Sequence, residues 1–353
     1  MKPKLVVLSA FFSPFRSGAE AMVEEVFPRL ADKFEITVVT CRMNKSLSKK
    51  EKLNGLDVIR VGFGFSFDKY LFPFLAPLKT RSLKPSIIHA VLESYAGAAL
   101  VVCRFLMPKT KRILTLQSTN SSLFLGPIHR SANVLTAISR ALIERAKIYT
   151  NNQAALIPNG IDFASIRDAC KKYHKIPGRV LFVGRLEQMK GVDVLISAFA
   201  MVVSGSPQSH LRIVGDGSLR SELEAKTKAL NISDRVAFTG RLTGAELFEE
   251  YAAAEIFCGL SRSEALGNVF LEAQASGSAV LTTRVGGIMD IVENGRTGLL
   301  VLPDDVAGAA GALHRLLTDG ELREALVSKG LEGKEKYDWG MIAWEYEKVL
   351  KNV

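Results

Sequence analysis

Short apolar runs rich in β-branched residues alternate along the chain with longer amphipathic stretches. In the second half the short runs are VLFV from position 180, LRIV from 211, VAFT from 236, EIFCGL from 255, AVLTT from 279 and GLLV from 298. Between them lie helical patterns such as VDVLISAFAMVV and SLRSELEAKTKAL. This alternation predicts a parallel sheet with helices on both faces, because consecutive parallel strands need a crossover that is usually a helix.

The first half of the chain repeats the same rhythm. Its short apolar runs are LVVLSA, EITVVT, DVIRVGF, SIIHAV, RILTL and NVLTAIS. A chain of 353 residues is long enough for two hydrophobic cores of ordinary size. The pattern therefore predicts an α/β protein that consists of two doubly wound domains.

The strongest breakers between the two series lie in the segment IPNGIDF, where Pro158, Asn159 and Gly160 follow one another. We therefore expect a first domain over 1–158 and a second over 159–336. The final stretch, WGMIAWEYEKVLKNV, has the pattern of an amphipathic helix with no strand after it. The period of this helix does not decide which domain it packs against.

The composition, with 48% hydrophobic and 23% charged residues, is that of a globular protein. No apolar run reaches the roughly 20 residues that span a bilayer. The opening MKPKLVVLSAFF breaks at Ser13-Pro14 and lacks a small-residue cleavage site, so we interpret it as a buried strand rather than a signal peptide. The isolated cysteines indicate neither a disulfide framework nor a zinc site and favour a reducing cytoplasm. They are Cys41, Cys103, Cys170 and Cys258.

The formal net charge of +10 is spread along the chain. A local basic cluster consists of Lys45, Lys49, Lys50 and Lys52. Such charge fits a solvated basic surface, an anionic substrate or an anionic membrane face. No recognised nucleic-acid-binding motif accompanies it, so we do not expect nucleic acid as a partner.

Aromatic and basic residues are concentrated in the stretch FGFSFDKYLFPFLAPLKTR at 63–81. Its aromatic residues are Phe63, Phe65, Phe67, Tyr70, Phe72 and Phe74, and its basic residues are Lys69, Lys79 and Arg81. Two interpretations are open. The stretch is either a core helix with its loop, or a surface for peripheral contact with a membrane that carries a lipid-linked acceptor.

Ligands of open parallel sheets bind outside the carboxyl ends of the strands, so the loops after strands are the places to look for chemistry. The first such loop places Ser17 and Gly18 before a helix, where free backbone N–H groups suit an anion, although a plain tight turn fits as well. The loop with Gly215 and Gly217 resembles a dinucleotide fingerprint only superficially, because Arg220 replaces the third glycine. We therefore expect no NAD and no other cofactor.

A second loop, VGRLEQMKG, ends a strand at Gly184 and opens a helix at Gly191. Between them lie Arg185 and Lys190, which place two positive charges beside a helix N-terminus. An arginine offers a fork of donors and a lysine a mobile point charge, and together they suit a diphosphate. Taken alone, the pair also fits two solvated basic residues on a surface loop.

The stretch SRSEALGNVFLEAQASGSAV places one carboxylate, Glu264, before a glycine and another, Glu272, after it. We expect Asn268 to be the N-cap of a short helix over 269–276 and Gly277 to end it. The N–H groups of 267–269 would then face an anion, with one carboxylate on either side. Carboxylates accept hydrogen bonds from sugar hydroxyls, so this spacing suits a ligand with two sugars flanking a diphosphate.

These motifs carry a family resemblance. The run SRSEALGNVFLEAQASGSAVLTTRVGGIMDIVENGRTGLLV resembles the hallmark of the retaining glycosyltransferases of family 4. The resemblance extends in family order to LTAISRALIERA, IPNGIDF, FVGRLEQMKG, IVGDGSLRSEL and VAFTGRL, and it covers nearly the whole chain. It implies the GT-B fold, in which two Rossmann-like domains face each other across a cleft. It also implies that the first domain binds the acceptor, that the second binds a nucleotide diphosphate sugar, and that the C-terminal helix, 337–353, packs back on the first.

Carried over residue by residue, the resemblance implies that Arg185 and Lys190 hold the diphosphate. Glu264 would contact the transferred sugar, and with these two cations it would form the catalytic set. Glu272 would bind the ribose hydroxyls. The remaining donor-binding positions implied are Gly18, Gly184, Arg241, Leu242, Leu266, Gly267, Asn268 and Val269.

The chain departs from the family pattern at Gln117, near the expected acceptor and leaving sugar, and at Ser17 in the first loop. Family members often carry histidine where ILTLQST has Gln117, which puts any role for an imidazole there in doubt. His89 in IIHAV matches a common family histidine, but we expect it at a strand end, where it either faces the acceptor or is structural. The glycine pair usual in the first loop is Ser17-Gly18 here.

Transfer with retention is usually described for this family as same-face attack, in which the leaving diphosphate oxygen takes the proton of the acceptor. Positioning and charge stabilisation are then the tasks of the protein. No Asp-x-Asp occurs in the chain, and Arg185 and Lys190 can supply the positive charge of a metal, so we expect metal independence. The acceptor is expected to be a glycan or a lipid at the cytoplasmic membrane face. Open alternatives are an epimerase or hydrolase of sugar nucleotides with this architecture, or a non-catalytic nucleotide-sugar-binding protein.

Overall fold

The structure, a computed structural model, describes residues 2–15, 17–120 and 124–353. The chain divides into two compact units. Unit 1 comprises Met1–Gly160 with Trp339–Val353, and unit 2 comprises Ile161–Asp338. The division lies two residues after each of the limits expected from the sequence. At the start of unit 2, the Ile161 N–H donates to the carbonyl of Tyr337 at 2.8 Å, which keeps Tyr337 in the same unit.

The strands, in chain order, are β1 Lys4–Leu8, β2 Glu35–Cys41, β3 Lys50–Leu53, β4 Leu56–Val61, β5 Ile87–Val91, β6 Lys111–Leu116, β7 Val134–Ala137, β8 Ala154–Leu156, β9 Ile176–Val183, β10 His210–Val214, β11 Val236–Gly240, β12 Ala254–Gly259, β13 Ala279–Thr283 and β14 Leu299–Val301. The α-helices are α1 Gly18–Val26, α2 Asp68–Leu83, α3 Tyr95–Leu106, α4 Leu125–Ser131, α5 Arg140–Lys147, α6 Phe163–Lys172, α7 Val192–Val202, α8 Arg220–Ala229, α9 Gly244–Ala253, α10 Asn268–Ala275, α11 Val306–Thr318, α12 Gly320–Leu331 and α13 Trp339–Lys351.

Each unit is built on one twisted sheet with helical crossovers. The strand order in unit 1 is β3-β4-β2-β1-β5-β6-β7-β8, and the order in unit 2 is β11-β10-β9-β12-β13-β14. Neighbouring strands pair in parallel, except β3 with β4. The α/β class predicted from the alternating pattern is confirmed. In unit 2 the order reverses beside β9, so the loops after β9 and its neighbours meet at the edge where such sheets bind ligands.

Strand β3 was not predicted from the sequence, in which its lysines stood out only as part of a basic cluster. The strand pairs antiparallel with β4 through a tight turn at Asn54 and Gly55, both with positive φ. Turns of this kind join two-residue hairpins, and charged side chains such as Lys50 and Lys52 are common on an edge strand, where they oppose pairing with a second sheet. Within the basic cluster, Lys50 and Lys52 are therefore a property of the sheet edge.

The core of unit 1 includes the last helix of the chain. Trp339, Ile342 and Tyr346 of α13 are buried in the same cluster as the apolar face of α1. Outside this core, the Lys33 ammonium donates to a carboxylate oxygen of Glu347 at 2.5 Å and ties α13 to the turn after α1. Helix α13 is thus an integral part of unit 1, although it follows unit 2 in the chain.

His89 does not lie at a strand end, as the sequence analysis expected. It is the third of five residues in β5 and is fully buried. Its Nε2 lies 2.7 Å from the hydroxyl of Thr115, and its ring packs edge-on against Phe27 and beside Tyr346. Burial lowers the pKa of His89 to about 3, so the ring is neutral at ordinary pH. The packing supports the structural interpretation of this residue.

The burial of His89 predicts a loss of stability in mild acid. Between its folded pKa of about 3 and its ordinary value of 6.5, the unfolded chain binds a proton that the folded chain does not, so stability falls as the pH drops below 6.5. At pH 5 the loss is about 2 kcal/mol, at about 1.36 kcal/mol per pH unit. In His89→Gln, which cannot titrate, the decline in stability from pH 7.5 to pH 5 should be smaller by this amount.

Tryptophan fluorescence during denaturant unfolding isolates the effect, because both tryptophans of the chain, Trp339 and Trp344, belong to α13 and report on unit 1. His174→Gln in unit 2 serves as the control. Parallel pH profiles for the wild type and His89→Gln would contradict the prediction.

Candidate functional site

Two loops approach closely at the carboxyl edge of the unit 2 sheet. The first follows β9 and runs from Gly184 through a 3₁₀ turn, Gln188–Lys190, to Gly191 before α7. Gly191 has a φ of +63°, and a Cβ there would lie 1.9 Å from the carbonyl oxygen of Leu260 in the loop after β12. Only glycine fits this position, since it combines the left-handed conformation with the close backbone approach.

The two cations of the first loop differ in their surroundings. The Arg185 side chain is 65% exposed and donates to Glu187 at 2.7 Å. The Lys190 side chain is only 18% exposed, and its ammonium donates to a carboxylate oxygen of Glu264 at 2.5 Å. The pair joins residues 74 positions apart. Arg185 is thus accessible to a ligand, whereas Lys190 is held by Glu264, which the resemblance assigned to the same catalytic set.

The loop that carries Glu264 is fixed from behind by the segment after β13. The Gly287 N–H donates to the carbonyl of Glu264 at 3.0 Å. A Cβ on Gly286, which has a φ of +47°, would lie 2.0 Å from the same oxygen. No role was predicted for this glycine pair, although the run VGG, one residue beyond the end of β13, indicates close backbone packing.

The helix after Glu264 begins one residue earlier than predicted. Gly267 rather than Asn268 is the N-cap, and Asn268 is the first residue of α10. The reason is conformational, because position 267 has a φ of +90° and a Cβ there would lie 2.5 Å from the Phe270 ring. Leu266, just before it, is buried. The backbone of 267–269 therefore opens a helix, as the anion-site prediction requires.

The second carboxylate, Glu272, lies in the middle of α10 and accepts a hydrogen bond from the hydroxyl of Tyr251 at 2.7 Å. Tyr251 is fully buried, and burial followed by the charge of Glu272 raises the pKa of its hydroxyl. The phenol therefore stays protonated and acts as a donor that fixes the carboxylate. No sequence pattern pointed to Tyr251, because a single tyrosine at the end of α9 also fits an ordinary core position.

Lys175 binds the C-terminal ends of the two helices that carry Tyr251 and Glu272. Its ammonium donates to the carbonyls of Ser276 at 2.8 Å and of Tyr251 at 3.3 Å, and to the Ser278 hydroxyl at 3.2 Å. Burial lowers its pKa to about 8. Since the carbonyl ends of helices attract cations, Lys175 links the ends of α9 and α10 and so holds Tyr251 in register with Glu272.

The other predicted donor residues of unit 2 follow β11. Arg241 is exposed and Leu242 is half-buried at the start of the loop after this strand. Strand β11 is separated from β9 by β10. These residues share the carboxyl edge of the sheet with Lys190 and Glu264, but they lie two strands away from the loop of Lys190.

In unit 1 the first loop is less open to an anion than predicted. The N–H of Ser17 donates to the carboxylate of Glu20 at 2.9 Å, and the Ser17 hydroxyl also contacts that carboxylate. This arrangement is a capping box, in which the Glu20 carboxylate occupies the N-terminus of the helix where an external anion would bind. The spacing Ser-x-x-Glu in the sequence is typical of such a box. Gly18 is the first residue of α1 and lies beside the side-chain amide of Asn159, which would be 3.5 Å from a Cβ on Gly18.

Gln117 lies directly after β6 and is 8% exposed. Its carbonyl oxygen accepts a hydrogen bond from the side-chain amide of Asn159 at 3.3 Å. Asn159 is also buried and belongs to the IPNGIDF segment. Gln117 stands where family members often carry histidine. It is bonded to Asn159 at the end of the first domain, and Asn159 lies beside the start of α1.

Comparison with known proteins identifies the family. The family model "Glycosyltransferase Family 4" matches residues 16–165, and the model "Glycosyl transferases group 1" matches residues 170–332. The chain belongs to glycosyltransferase family 4. The resemblance stated from the sequence motifs is therefore confirmed.

One curated relative is the phosphatidyl-myo-inositol mannosyltransferase of Mycolicibacterium smegmatis, 30% identical over 68% of this chain and 63% of that protein. The chain spans 41% to 63% of the length of this relative and four other curated relatives. Among solved structures, sucrose-phosphate synthase from Thermosynechococcus elongatus has a TM-score of 0.85 at 20% identity, with 99% of both chains covered. Anabaena HepE in complex with UDP-glucose has a TM-score of 0.79 at 20% identity, covering 99% of this chain and 100% of that one. These likenesses confirm the GT-B fold.

Neither a membrane-spanning helix nor a metal-binding cluster occurs in the described part of the chain. In the ranges 2–15, 17–120 and 124–353, no helix has both the length and the apolar character needed to cross a membrane. Over the same ranges, no three or more His, Cys, Asp or Glu side chains form a group able to hold a metal ion.

Proposed function

We propose that the chain transfers a hexosyl-type sugar from a nucleotide diphosphate sugar to an acceptor hydroxyl, with retention of the anomeric configuration. The observation that carries this proposal is the contact between Lys190 and Glu264 at the carboxyl edge of the unit 2 sheet. It places a cation suited to a diphosphate next to a carboxylate suited to sugar hydroxyls. The family membership and the complex of Anabaena HepE with UDP-glucose support the same donor class.

In this proposal Arg185 and Lys190 stabilise the diphosphate as negative charge grows on it during departure of the sugar. The N–H groups of 267–269 contact the distal phosphate, and Glu264 contacts the transferred sugar. The leaving diphosphate oxygen takes the proton of the attacking hydroxyl, so that positioning and electrostatic stabilisation supply the rate enhancement. Glu272, fixed by Tyr251, binds the ribose hydroxyls. The relatives named above are a transferase and a synthase, which disfavours an epimerase, a hydrolase or a non-catalytic binding protein.

A screen of nucleotide sugars tests the proposal. UDP-glucose and GDP-mannose are offered with phosphatidylinositol vesicles or a soluble glucan, and sugar transfer is measured in EDTA. We expect transfer in EDTA, because Arg185 and Lys190 take the place of a metal. Activity that disappears in EDTA and returns with manganese or magnesium would refute metal independence alone. An absence of transfer and of donor binding across a broad set of nucleotide sugars would refute the transferase proposal.

The Lys190–Glu264 pair predicts that the two glutamates affect nucleotide binding in opposite directions. In the ligand-free protein Glu264 competes with a diphosphate for Lys190, so Glu264→Gln should tighten binding of free UDP or GDP about threefold to tenfold, equivalent to about 0.7 to 1.4 kcal/mol. The same variant should lower kcat/KM for transfer. Glu272→Ala should weaken the free nucleotide by about 1.5 to 3 kcal/mol, the value of a hydrogen bond to a charged group.

Calorimetry with UDP and GDP measures these affinities. Asp168→Asn, which removes an exposed carboxylate of unit 2 paired with Lys171 on the same helix, controls for the change in net charge. Equal loss of nucleotide affinity in both glutamate variants would show that the assignment of the two carboxylates is wrong.

We further propose that unit 1 contacts an anionic membrane through the aromatic patch, defined as Phe63, Phe65, Phe67, Tyr70 and Phe74. All five side chains are exposed, whereas Phe72, which the sequence analysis grouped with them, is fully buried in the core. The patch carries its own cations, since the ammonium of Lys45 lies 4.5 Å from the Phe65 ring centre and that of Lys69 lies 5.2 Å from the Tyr70 ring centre. Exposed aromatic rings beside lysines suit the headgroup layer of an anionic bilayer.

Sedimentation with lipid vesicles tests the membrane proposal. The protein should bind phosphatidylglycerol vesicles at low salt and be released as the ionic strength rises, because screening weakens the lysine contribution. Phe67→Ser with Phe74→Ser should reduce binding severalfold, whereas Met201→Ser, which removes an exposed apolar side chain of unit 2, should not. Protein that remains in the supernatant at low salt would refute intrinsic membrane contact.

A further inference from the structure

A buried carboxylate that the proposed function leaves unused lies at the carboxyl edge of the unit 1 sheet. Glu93 is 3% exposed and follows the end of β5 by two residues. The residue between them, Leu92, has a φ of +81°, which a bulky side chain rarely adopts. Hydrogen bonds from the Leu92 N–H to Thr115 and from the Gly97 N–H to Leu92, both 3.1 Å, hold this turn. Such conformations persist where the surroundings enforce them, often at functional sites.

The Glu93 carboxylate holds the segment that follows β6. One oxygen accepts the backbone N–H groups of Gln117 at 2.9 Å and Ser118 at 3.2 Å. The other oxygen accepts from the Arg145 guanidinium of α5, and Nε2 of the buried His129 lies 3.8 Å from it. A buried charge is tolerated only with partners of this kind. Glu93 therefore joins the ends of β5 and β6 to α5.

The segment that Glu93 holds carries the Gln117 side chain, which is bonded to Asn159. This contact leaves Nε2 of Gln117 and Oδ1 of Asn159 buried without a hydrogen-bond partner among the described residues. Buried polar atoms are nearly always paired, so two such atoms on bonded neighbours call for a ligand or water. An amide donor beside an amide oxygen matches a hydroxyl group, which both donates and accepts. The Gly18 end of α1 lies beside Asn159 at this edge.

We propose that Glu93 and Arg145 are positioning residues that hold Gln117 against Asn159 to receive a sugar hydroxyl. The identity of this ligand rests on the proposed function, whereas the positioning of the segment does not. The carboxyl edge of a doubly wound sheet is where ligands bind, which places the amide pair correctly for this task. The hydroxyl belongs either to the transferred sugar or to the acceptor, and the two sources give different kinetics.

The first experiment measures amide hydrogen exchange at Gln117 and Ser118 in the full chain without ligand. Glu93→Gln should speed exchange at both amides by tenfold or more, because the neutral side chain is a weaker acceptor and no longer attracts Arg145. Glu347→Gln, which breaks an ion pair elsewhere in unit 1, should leave both amides unchanged. Unchanged exchange in Glu93→Gln would overturn the proposal, and this arm does not depend on any activity.

The double variant Glu93→Gln with Arg145→Gln separates positioning from simple stability. Removing both charges should restore the unfolding midpoint, measured by tryptophan fluorescence, toward the wild-type value. We expect amide exchange at Gln117 and Ser118 to stay fast and transfer to stay at least tenfold slow. Recovery of slow exchange and of transfer together with stability would show that the pair is only structural, which would overturn the proposal.

The second experiment uses the donor and acceptor found active in the nucleotide-sugar screen. In Glu93→Gln the affinity for the free nucleotide diphosphate should be unchanged, because its proposed contacts lie in unit 2. If the hydroxyl belongs to the donor, the affinity advantage of the nucleotide sugar over the free nucleotide should shrink severalfold. If it belongs to the acceptor, that advantage should persist and the KM for the acceptor should rise about tenfold. No change in either quantity would overturn the assignment to a sugar hydroxyl.

Discussion

The placement of Lys190 beside Glu264 in unit 2 depends on one close approach, between the backbone of Gly191 and the carbonyl of Leu260. Strands β9 and β12 are parallel neighbours, so the loops that follow them emerge side by side from the same edge of the sheet. With a side chain at position 191 these loops would have to separate, and Lys190 would move away from Glu264. A contact between residues far apart in sequence therefore relies on the absence of a single Cβ atom.

Glu264, Glu272 and Glu93 have different kinds of partner, which give them different tasks. Glu264 is bound to the cation of Lys190, for which a diphosphate competes in the proposed function. Glu272 is bound to the hydroxyl of Tyr251, which burial keeps protonated and neutral. Because this hydroxyl carries no charge, a phosphate does not compete strongly for it. In unit 1, the Glu93 carboxylate accepts hydrogen bonds from two backbone N–H groups and a guanidinium, and these bonds fix the position of the segment after β6. A segment that such contacts hold in place loses less entropy when a ligand binds.

The sequence by itself determined the α/β class, the parallel sheets and the presence of Arg185, Lys190, Glu264 and Glu272 in loops and helices after strands. These features depend on local periodicity and on the rule that the carboxyl ends of parallel strands meet at the same edge of a sheet. Both can be applied to a single sequence. The N-cap was predicted at Asn268, one residue after its actual position at Gly267. A Cβ at position 267 would collide with the Phe270 ring, and capping preferences do not include this tertiary constraint.

Only the tertiary structure decided which partners these residues take. Tyr251 and Glu93 occur in stretches with no distinctive pattern, and Asn159 was noticed only as a breaker within IPNGIDF. The roles of all three arise from contacts with residues 21 to 42 positions away in the chain. The interior position of His89 was equally invisible, since a histidine in an apolar strand can face a ligand or the core. Local sequence fixes the direction in which a strand or helix runs, whereas hydrogen bonding and burial depend on which elements the fold brings together.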